Sequence, residues 1–325
     1  MQKNEQNIID VAIIGSGPAA LSAAIYTGRA NLNVVVFEKQ QFGGTLNQIA
    51  KIENYPGFVG DGAVLASSMK EQAIKAGAKI QYGTCEEIGY ALGPSKKWPQ
   101  CPKKDIRFEG HNSDEIIYGG YPFYLIIDGE RYEAHTVIVA TGSEPRPLEV
   151  KTKVPVSYCA ICDGSLYKDG NIAVVGGGNS AIQESMYLAD VAKSVTIFSH
   201  HNLRAEPYLI KKIENCKNIK LKQNIEPTAE ILNEFDAIFA FIGKRPATSF
   251  LGPGFDGDEP GDEYECKLLD ENGYIIAKDG YTAIPGLFAA GDVCADSVKQ
   301  VVTATASGAA AALHAIESLK RLNLK

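Results

Sequence analysis

The chain has 325 residues, 45% hydrophobic and 22% charged, which excludes a disordered, collagenous or coiled-coil chain and fits two domains. Lys plus Arg number 32 against 39 for Asp plus Glu, a net charge of −7, so the basic footprint of a nucleic-acid binder is missing and no nucleic-acid partner is expected. No apolar run approaches the ~18–20 residues that span a bilayer, and residues 1–7 lack the apolar core of a signal peptide, so no membrane partner is expected and the expected address is cytoplasmic.

The first predicted element is a buried strand over residues 8–14. It is followed by Gly15-Ser16-Gly17-Pro18-Ala19-Ala20, a helical pattern over 19–29 and a second buried strand over 33–37. This is G-x-G-x-x-A between a strand and a helix. Gly15 makes the tight turn, Gly17 lets a pyrophosphate reach the backbone, and Ala20 lets helix and strand pack closely. The helix N-terminus supplies N–H donors. Glu38 ends the second strand, where a carboxylate binds a ribose hydroxyl. The β-α-β unit is therefore expected to bind a dinucleotide.

Residues 86–136 carry Pro94, Pro99 and Pro102 around Trp98 and Cys101, then an alternating run over 121–127. They predict a β-meander bearing a surface loop at 92–119. Next comes Cys159-Ala160-Ile161-Cys162-Asp163-Gly164, whose C-x-x-C spacing is that of a redox dithiol. A zinc site needs a second ligand pair. Cys85, Cys101, Cys216, Cys266 and Cys294 are all isolated, and His200-His201 is adjacent rather than ligand-spaced, so no metal is expected. Asp163 is placed either to donate a proton to a departing thiolate or to cap a helix.

The β-α-β order then recurs. A strand over 172–175, Gly176-Gly177-Gly178-Asn179-Ser180-Ala181, a helix over 180–189 and a strand over 194–198 predict a second nucleotide site at Gly176, Gly178, Asn179 and Ser180. A helix over 206–214 and strands over 219–222 and 237–242 complete a small second unit. An acidic, Gly-rich loop over 250–263, the segment Phe288-Ala289-Ala290-Gly291-Asp292-Val293 and a small-residue helix over 301–319 close the chain.

Taken together these segments resemble the low-molecular-weight thioredoxin reductases, which are FAD-dependent disulfide reductases. The likeness rests on the two glycine fingerprints, Phe42-Gly43-Gly44-Thr45-Leu46, Glu53-Asn54-Tyr55-Pro56-Gly57-Phe58, Ala140-Thr141-Gly142, the Cys159–Gly164 motif and Phe288–Val293, in that family's order along nearly the whole chain. The resemblance implies an α/β fold of two Rossmann-like three-layer (β/β/α) domains, the second inserted in the first. The FAD-binding domain would be 1–146 with 244–325, and a smaller NADPH-type domain, 147–243, would carry the redox pair. FAD would be held by Gly15, Gly17, Pro18, Ala19, Glu38 and Lys39, by Gly44, Thr45, Leu46 and Asn54, by Ala140, Thr141 and Gly142, and by Gly291, Asp292, Lys299, Gln300 and Val301. Asp292 would bind the ribityl chain, and the helix after Gln300 would aim its N-terminus at the flavin. Lys299 stands where the family has Arg, which keeps the charge and loses the bidentate geometry.

The resemblance further implies that Cys162 faces the flavin, that Asp163 is the acid, and that Cys159 attacks a thioredoxin-like substrate to form a mixed disulfide resolved by Cys162. Exposing Cys159 would need rotation about hinges near 142–147 and 242–246. A homodimer is also implied. The pattern breaks in the second unit, where the short span between Phe198 and Phe239 also leaves out the family's extra antiparallel strands. The step that reaches Glu38 from Gly17 reaches Ser199 from Gly178, and Phe198-Ser199-His200 offers neither a carboxylate nor the family's arginines; only Arg204 remains. The donor is therefore open between NADPH bound through altered contacts and ferredoxin. The alternative activities are a flavin-dependent dithiol oxidase using oxygen and a flavin-binding interaction protein with no turnover.

Overall fold

The computed structural model describes residues 8–49, 52–90, 123–251, 268–322 and 324. The loop expected at 92–119 and most of the acidic loop at 250–263 lie outside the described residues. The chain divides into two compact units, Met1–Ser143 with Pro246–Lys325, and Glu144–Arg245.

The larger unit begins β1 (Ile9–Ile14), α1 (Pro18–Arg29), β2 (Val34–Glu38) and a 3-10 turn at Gly44–Gln48. The hairpin β3 (Ile52–Tyr55) and β4 (Phe58–Gly60) follows, then α2 (Gly62–Lys75), β5 (Lys79–Tyr82), β6 (Cys85–Tyr90), β7 (Phe123–Ile127) and β8 (Glu130–Val139). The connections to and from the smaller unit run through β9 (Ser143–Pro145) and β15 (Lys244–Pro246), which pair with each other. Between them lie β10 (Val156–Ser157), α3 (Ala160–Asp163), β11 (Asn171–Val175), α4 (Asn179–Val191), β12 (Ser194–Ser199), α5 (Pro207–Glu214), β13 (Ile219–Gln223), α6 (Ala229–Leu232) and β14 (Ala237–Ala240). The larger unit then ends with β16 (Leu287–Ala289) and α7 (Val301–Arg321).

In the larger unit the sheet runs β5-β2-β1-β8-β7-β6, with β16 also paired to β8. Ten-residue β8 changes neighbour along its length. Its first half pairs antiparallel with β7, and its last residues pair parallel with β16. The β6-β7-β8 meander thus grows out of the parallel strands, and the C-terminal ends of β1, β8 and β16 come side by side. β1 is buried along its whole length because apolar clusters cover both faces, one built from α1, α2 and α7 and the other from the meander and the 268–293 segment. Its one acid, Asp10, is satisfied: the Asn33 backbone N–H donates to its carboxylate at 2.7 Å.

The smaller unit has an all-parallel sheet, β10-β14-β11-β12-β13. One face carries α3, α4 and α5. The opposite face is covered by Ile231, Leu232 and Phe235 and by the apolar side chains of 148–156. Among the described residues there is no second β layer here, as the short span between Phe198 and Phe239 leads one to expect. The span between β12 and β14 is too short for antiparallel strands, and α6 with an extended chain fills the face instead. The strand expected over 237–242 stops at Ala240.

The two ends of the larger unit are joined through α1 and α7. A Cβ on Gly308 would lie 2.0 Å from the backbone oxygen of Ala19, and Ser22 Oγ donates to the carbonyl of Thr305 at 2.8 Å. Gly308→Ala gains roughly 1 kcal/mol of helix propensity. It must also push two helix backbones apart, an overpacking cost of about 1–3 kcal/mol or more. The expected outcome is a lower Tm in thermal unfolding; an unchanged or raised Tm would show that the helices separate freely.

Candidate functional site

The first glycine turn sits at the C-terminal end of β1. Gly15 has φ of 98°, and a Cβ there would lie 2.5 Å from the carbonyl oxygen of Ala140. No L side chain fits that position. Gly17 by contrast has no atom within 4 Å of an added Cβ, so open space faces the first turn of α1. Pro18 is the first helical residue, where its missing N–H costs nothing. Glu38 is buried at the end of β2. Its Oε2 accepts from Ser16 Oγ at 2.7 Å and its Oε1 from the Gln40 backbone N–H at 2.8 Å. Each carboxylate oxygen retains a lone pair for a further donor. Lys39 beside it is exposed.

The other expected residues of this unit gather around the same strand ends. The Ala140 N–H donates to the Ile14 carbonyl and the Ala290 N–H to the Val139 carbonyl, each at 2.9 Å. Thr141 Oγ1 donates to the Ala247 carbonyl at 2.7 Å. The Gly43 N–H donates to the Ser16 carbonyl at 3.0 Å, which brings the Gly44-Thr45-Leu46 turn beside the glycine loop. A Cβ on Gly291 would meet Ala19 Cβ at 2.9 Å, and the Gly291 N–H donates to Ser307 Oγ at 2.9 Å, placing Asp292 there too. Asn54 Nδ2 donates to Gln300 Oε1 at 2.9 Å, immediately before Val301 opens α7. Residues from five separate stretches therefore converge on one end of one sheet. An open glycine at a helix N-terminus, a buried carboxylate at the ribose position and a second helix N-terminus fit FAD. Lys299 Nζ donates to Tyr274 OH at 2.7 Å and lies over that ring at 4.4 Å. The sequence reading missed Tyr274, for which no motif signals.

In the smaller unit Cys159 and Cys162 form a disulfide, with Cα atoms 5.4 Å apart. Cys159 precedes the single turn of α3, and its Sγ accepts from the Cys162 N–H at 3.2 Å. An N–H aimed at this sulfur stabilises negative charge there when the bond opens. Cys159 is half-buried and Cys162 is exposed. Asp163 Oδ2 accepts from Ser157 Oγ at 2.7 Å. Gly164 is buried, and a Cβ there would touch Leu188 of α4 at 3.0 Å. Burial pushes the free thiols of Cys85 and Cys294 up to about 12, so both stay protonated and inert at neutral pH.

The second glycine turn repeats the first in register. The Gly176 N–H donates to the Phe198 carbonyl at 2.9 Å, as the Gly15 N–H does to the Phe37 carbonyl at 2.8 Å, so Ser199 is the counterpart of Glu38. Gly178, like Gly17, has nothing within 4 Å of an added Cβ. The side chains are exchanged between the two units. The counterpart of Ser16 is Gly177, and a Cβ there would lie 2.2 Å from Ser199 Oγ. Ser199 Oγ donates to the His201 carbonyl at 2.6 Å. Asn179 is engaged with Glu206: its Oδ1 accepts from the Glu206 N–H at 2.8 Å and its Nδ2 donates to the carboxylate at 3.1 Å. Ser180 is exposed at the start of α4. His200 stacks on His201 and lies 3.7 Å from the Glu226 carboxylate, and Arg204 is exposed.

Among the described residues no helix is long and apolar enough to cross a membrane. The family model for pyridine nucleotide-disulphide oxidoreductases matches residues 9–308. The thioredoxin reductase of Listeria innocua is 33% identical, with 98% of this chain and 97% of that protein covered. That of Ureaplasma parvum is 34% identical, with 98% and 99% covered. Among solved structures, the Lactococcus lactis thioredoxin reductase superposes with a TM-score of 0.77 at 29% identity, covering 96% of this chain and 99% of that one.

Glu184 on α4 is a carboxylate in the wrong solvent: burial pushes it up to about 7, against the opposing pull of Lys244. A carboxyl whose folded value is raised loses stability as pH climbs from its ordinary range of about 4.5 through 7, because the folded state must then hold a desolvated charge. Glu184→Gln is expected to raise the Tm at pH 8 by the equivalent of roughly 1–2 kcal/mol, with little gain at pH 5. Thermal unfolding at the two pH values reads this, and an equal shift at both would deny the titration.

Proposed function

This chain belongs to the pyridine nucleotide-disulphide oxidoreductase family, and we propose that it is a flavin-dependent disulfide reductase that passes electrons through the Cys159–Cys162 dithiol to a thioredoxin-like protein. The observation that carries this is the disulfide itself, beside an acid, on a unit inserted into an FAD-type Rossmann unit. The larger unit would hold FAD, with its pyrophosphate at Gly15, Gly17 and the α1 N-terminus, its ribose at Glu38, and its flavin end toward Asn54, Gln300 and the start of α7. Bound FAD supplies two-electron chemistry between a donor and the disulfide. The protein's own part is thiol chemistry. Asp163 gives a proton to the sulfur released when the pair opens. Cys159, favoured by the Cys162 N–H, attacks the substrate disulfide, and Cys162 resolves the mixed disulfide.

For the donor, the open face of Gly178 at the head of α4 supports a nicotinamide dinucleotide on the smaller unit. Ser199 in place of a carboxylate or arginine supports a second reading, in which ferredoxin donates and the second fingerprint is idle. Anaerobic titration of the flavoprotein with NADPH, NADH and reduced ferredoxin separates them. Stoichiometric bleaching of the oxidised flavin band by a nicotinamide is the expected outcome; bleaching by ferredoxin alone would sink the nicotinamide reading.

The cysteine roles have a separate test. Cys162→Ser is expected to trap a stable mixed disulfide with thioredoxin through Cys159, read by peptide mass mapping. Trapping only in the reciprocal Cys159→Ser variant, through the exposed Cys162, would reverse the assignment.

A further inference from the structure

We propose that Ser157 is a positioning residue for the dithiol step: its hydroxyl fixes the Asp163 carboxylate against the Cys159–Cys162 turn and sets the proton supply to the sulfur that is released. The inference rests on the reductase reading above. Ser157 ends β10, in register with Phe239 of β14, so its backbone is part of the sheet while Cys159 lies just beyond it. The side chain is 7% exposed. Its Oγ lies 2.7 Å from Asp163 Oδ2 and 3.3 Å from the Cys159 carbonyl oxygen, and the single hydroxyl proton goes to the nearer acceptor. The same Oγ accepts from the Cys159 N–H at 3.1 Å. The Asp163 N–H in turn donates to the Cys159 carbonyl at 3.2 Å. Ser157 thus touches both the first cysteine and the acid, and it closes a ring of hydrogen bonds from the sheet edge through the redox turn. Without it, Asp163 would be free to turn into solvent, and the turn would lose its side-chain hydrogen bonds to the end of β10.

The chemistry it would govern balances as follows. On reduction the Sγ–Sγ bond takes up two electrons, supplied by the reduced flavin, and two protons drawn from solvent; the bond breaks to two thiols. Asp163 relays one of those protons to the released sulfur and returns to its starting state. The Ser157 hydroxyl holds the Asp163 oxygen beside the turn while it does so, so the proton-linked step responds to Ser157 even though Ser157 itself never ionises.

The test uses the full-length flavoprotein and a readout independent of turnover. Wild type, Ser157→Ala, Ser157→Thr and Asp163→Asn are mixed anaerobically with dithiothreitol, which supplies the two electrons, and quenched over a time series. The Cys159/Cys162 thiols are then alkylated and counted by mass spectrometry. In Ser157→Ala the rate at which the dithiol appears should fall roughly tenfold. Ser157→Thr, which keeps the hydroxyl, should restore it, and Asp163→Asn should lower it at least as far. Ser157→Gly serves the same purpose should the alanine variant fail to fold. A rate unchanged in Ser157→Ala but lowered in Asp163→Asn overturns the positioning role and leaves the acid assignment standing. A rate unchanged in Asp163→Asn overturns both.

Discussion

Close backbone approach is the constraint on which this protein depends. Gly15 lies so near the Ala140 carbonyl, and Gly308 so near the Ala19 carbonyl, that a single methyl at either would force main chain against main chain. The first approach sets the C-terminal ends of β1 and β8 side by side. The second brings α7, from the far end of the sequence, onto α1. Because both hold, segments separated by the whole inserted unit reach one sheet end, and Asn54 can hydrogen-bond to Gln300. Neither approach is strongly favourable by itself. What they permit is the burial of Ala20, Leu21, Ala311, Ala312 and Leu319 in one cluster, and that apolar burial holds the turns at the sheet end in place.

The two fingerprints show how one backbone carries two side-chain arrangements. In the larger unit a serine on the glycine loop reaches a carboxylate on the strand. In the smaller unit the loop has lost its side chain and the strand residue is a serine that fills the vacated space. The exchange conserves packing and changes chemistry. Glu38 presents a charged acceptor, whereas the Ser199 proton is committed to the His201 carbonyl. The acceptor presented at this position can thus change with almost no effect on the fold.

Much of this was legible from the residues. The apolar runs of β1, β2, β11 and β12 and the glycine turns that follow them are strong local signals, and the structure moves their ends by only a residue or two. Pro18 joins α1 because a helix tolerates proline at its first position. Ser199 joins β12 because it pairs with Gln223 and is buried. Less could be read where the determinant is a tertiary partner. The pairing of β9 with β15 joins two proline-bearing segments about a hundred residues apart, which no local periodicity announces. Tyr274 matters only because Lys299 folds onto it, and Ser157 only because a turn six residues long returns Asp163 to it. The absence of a second β layer in the smaller unit was, by contrast, legible in the short span after β12.

The smaller unit also explains why a glycine fingerprint alone does not identify a donor. Gly176 has φ of 147°, and a Cβ there would lie 2.4 Å from the Phe241 carbonyl oxygen, so glycine is required by the fold whether or not a nucleotide ever binds. The helix it launches, α4, has the same standing: Leu188 packs on Gly164 directly behind the redox pair, so α4 supports the thiol chemistry as well as any nucleotide. Gly178 is different. It has no positive φ and no neighbour for a side chain to strike, so packing does not explain its being glycine. Of the three glycines in this turn, it is the one that the fold does not itself require.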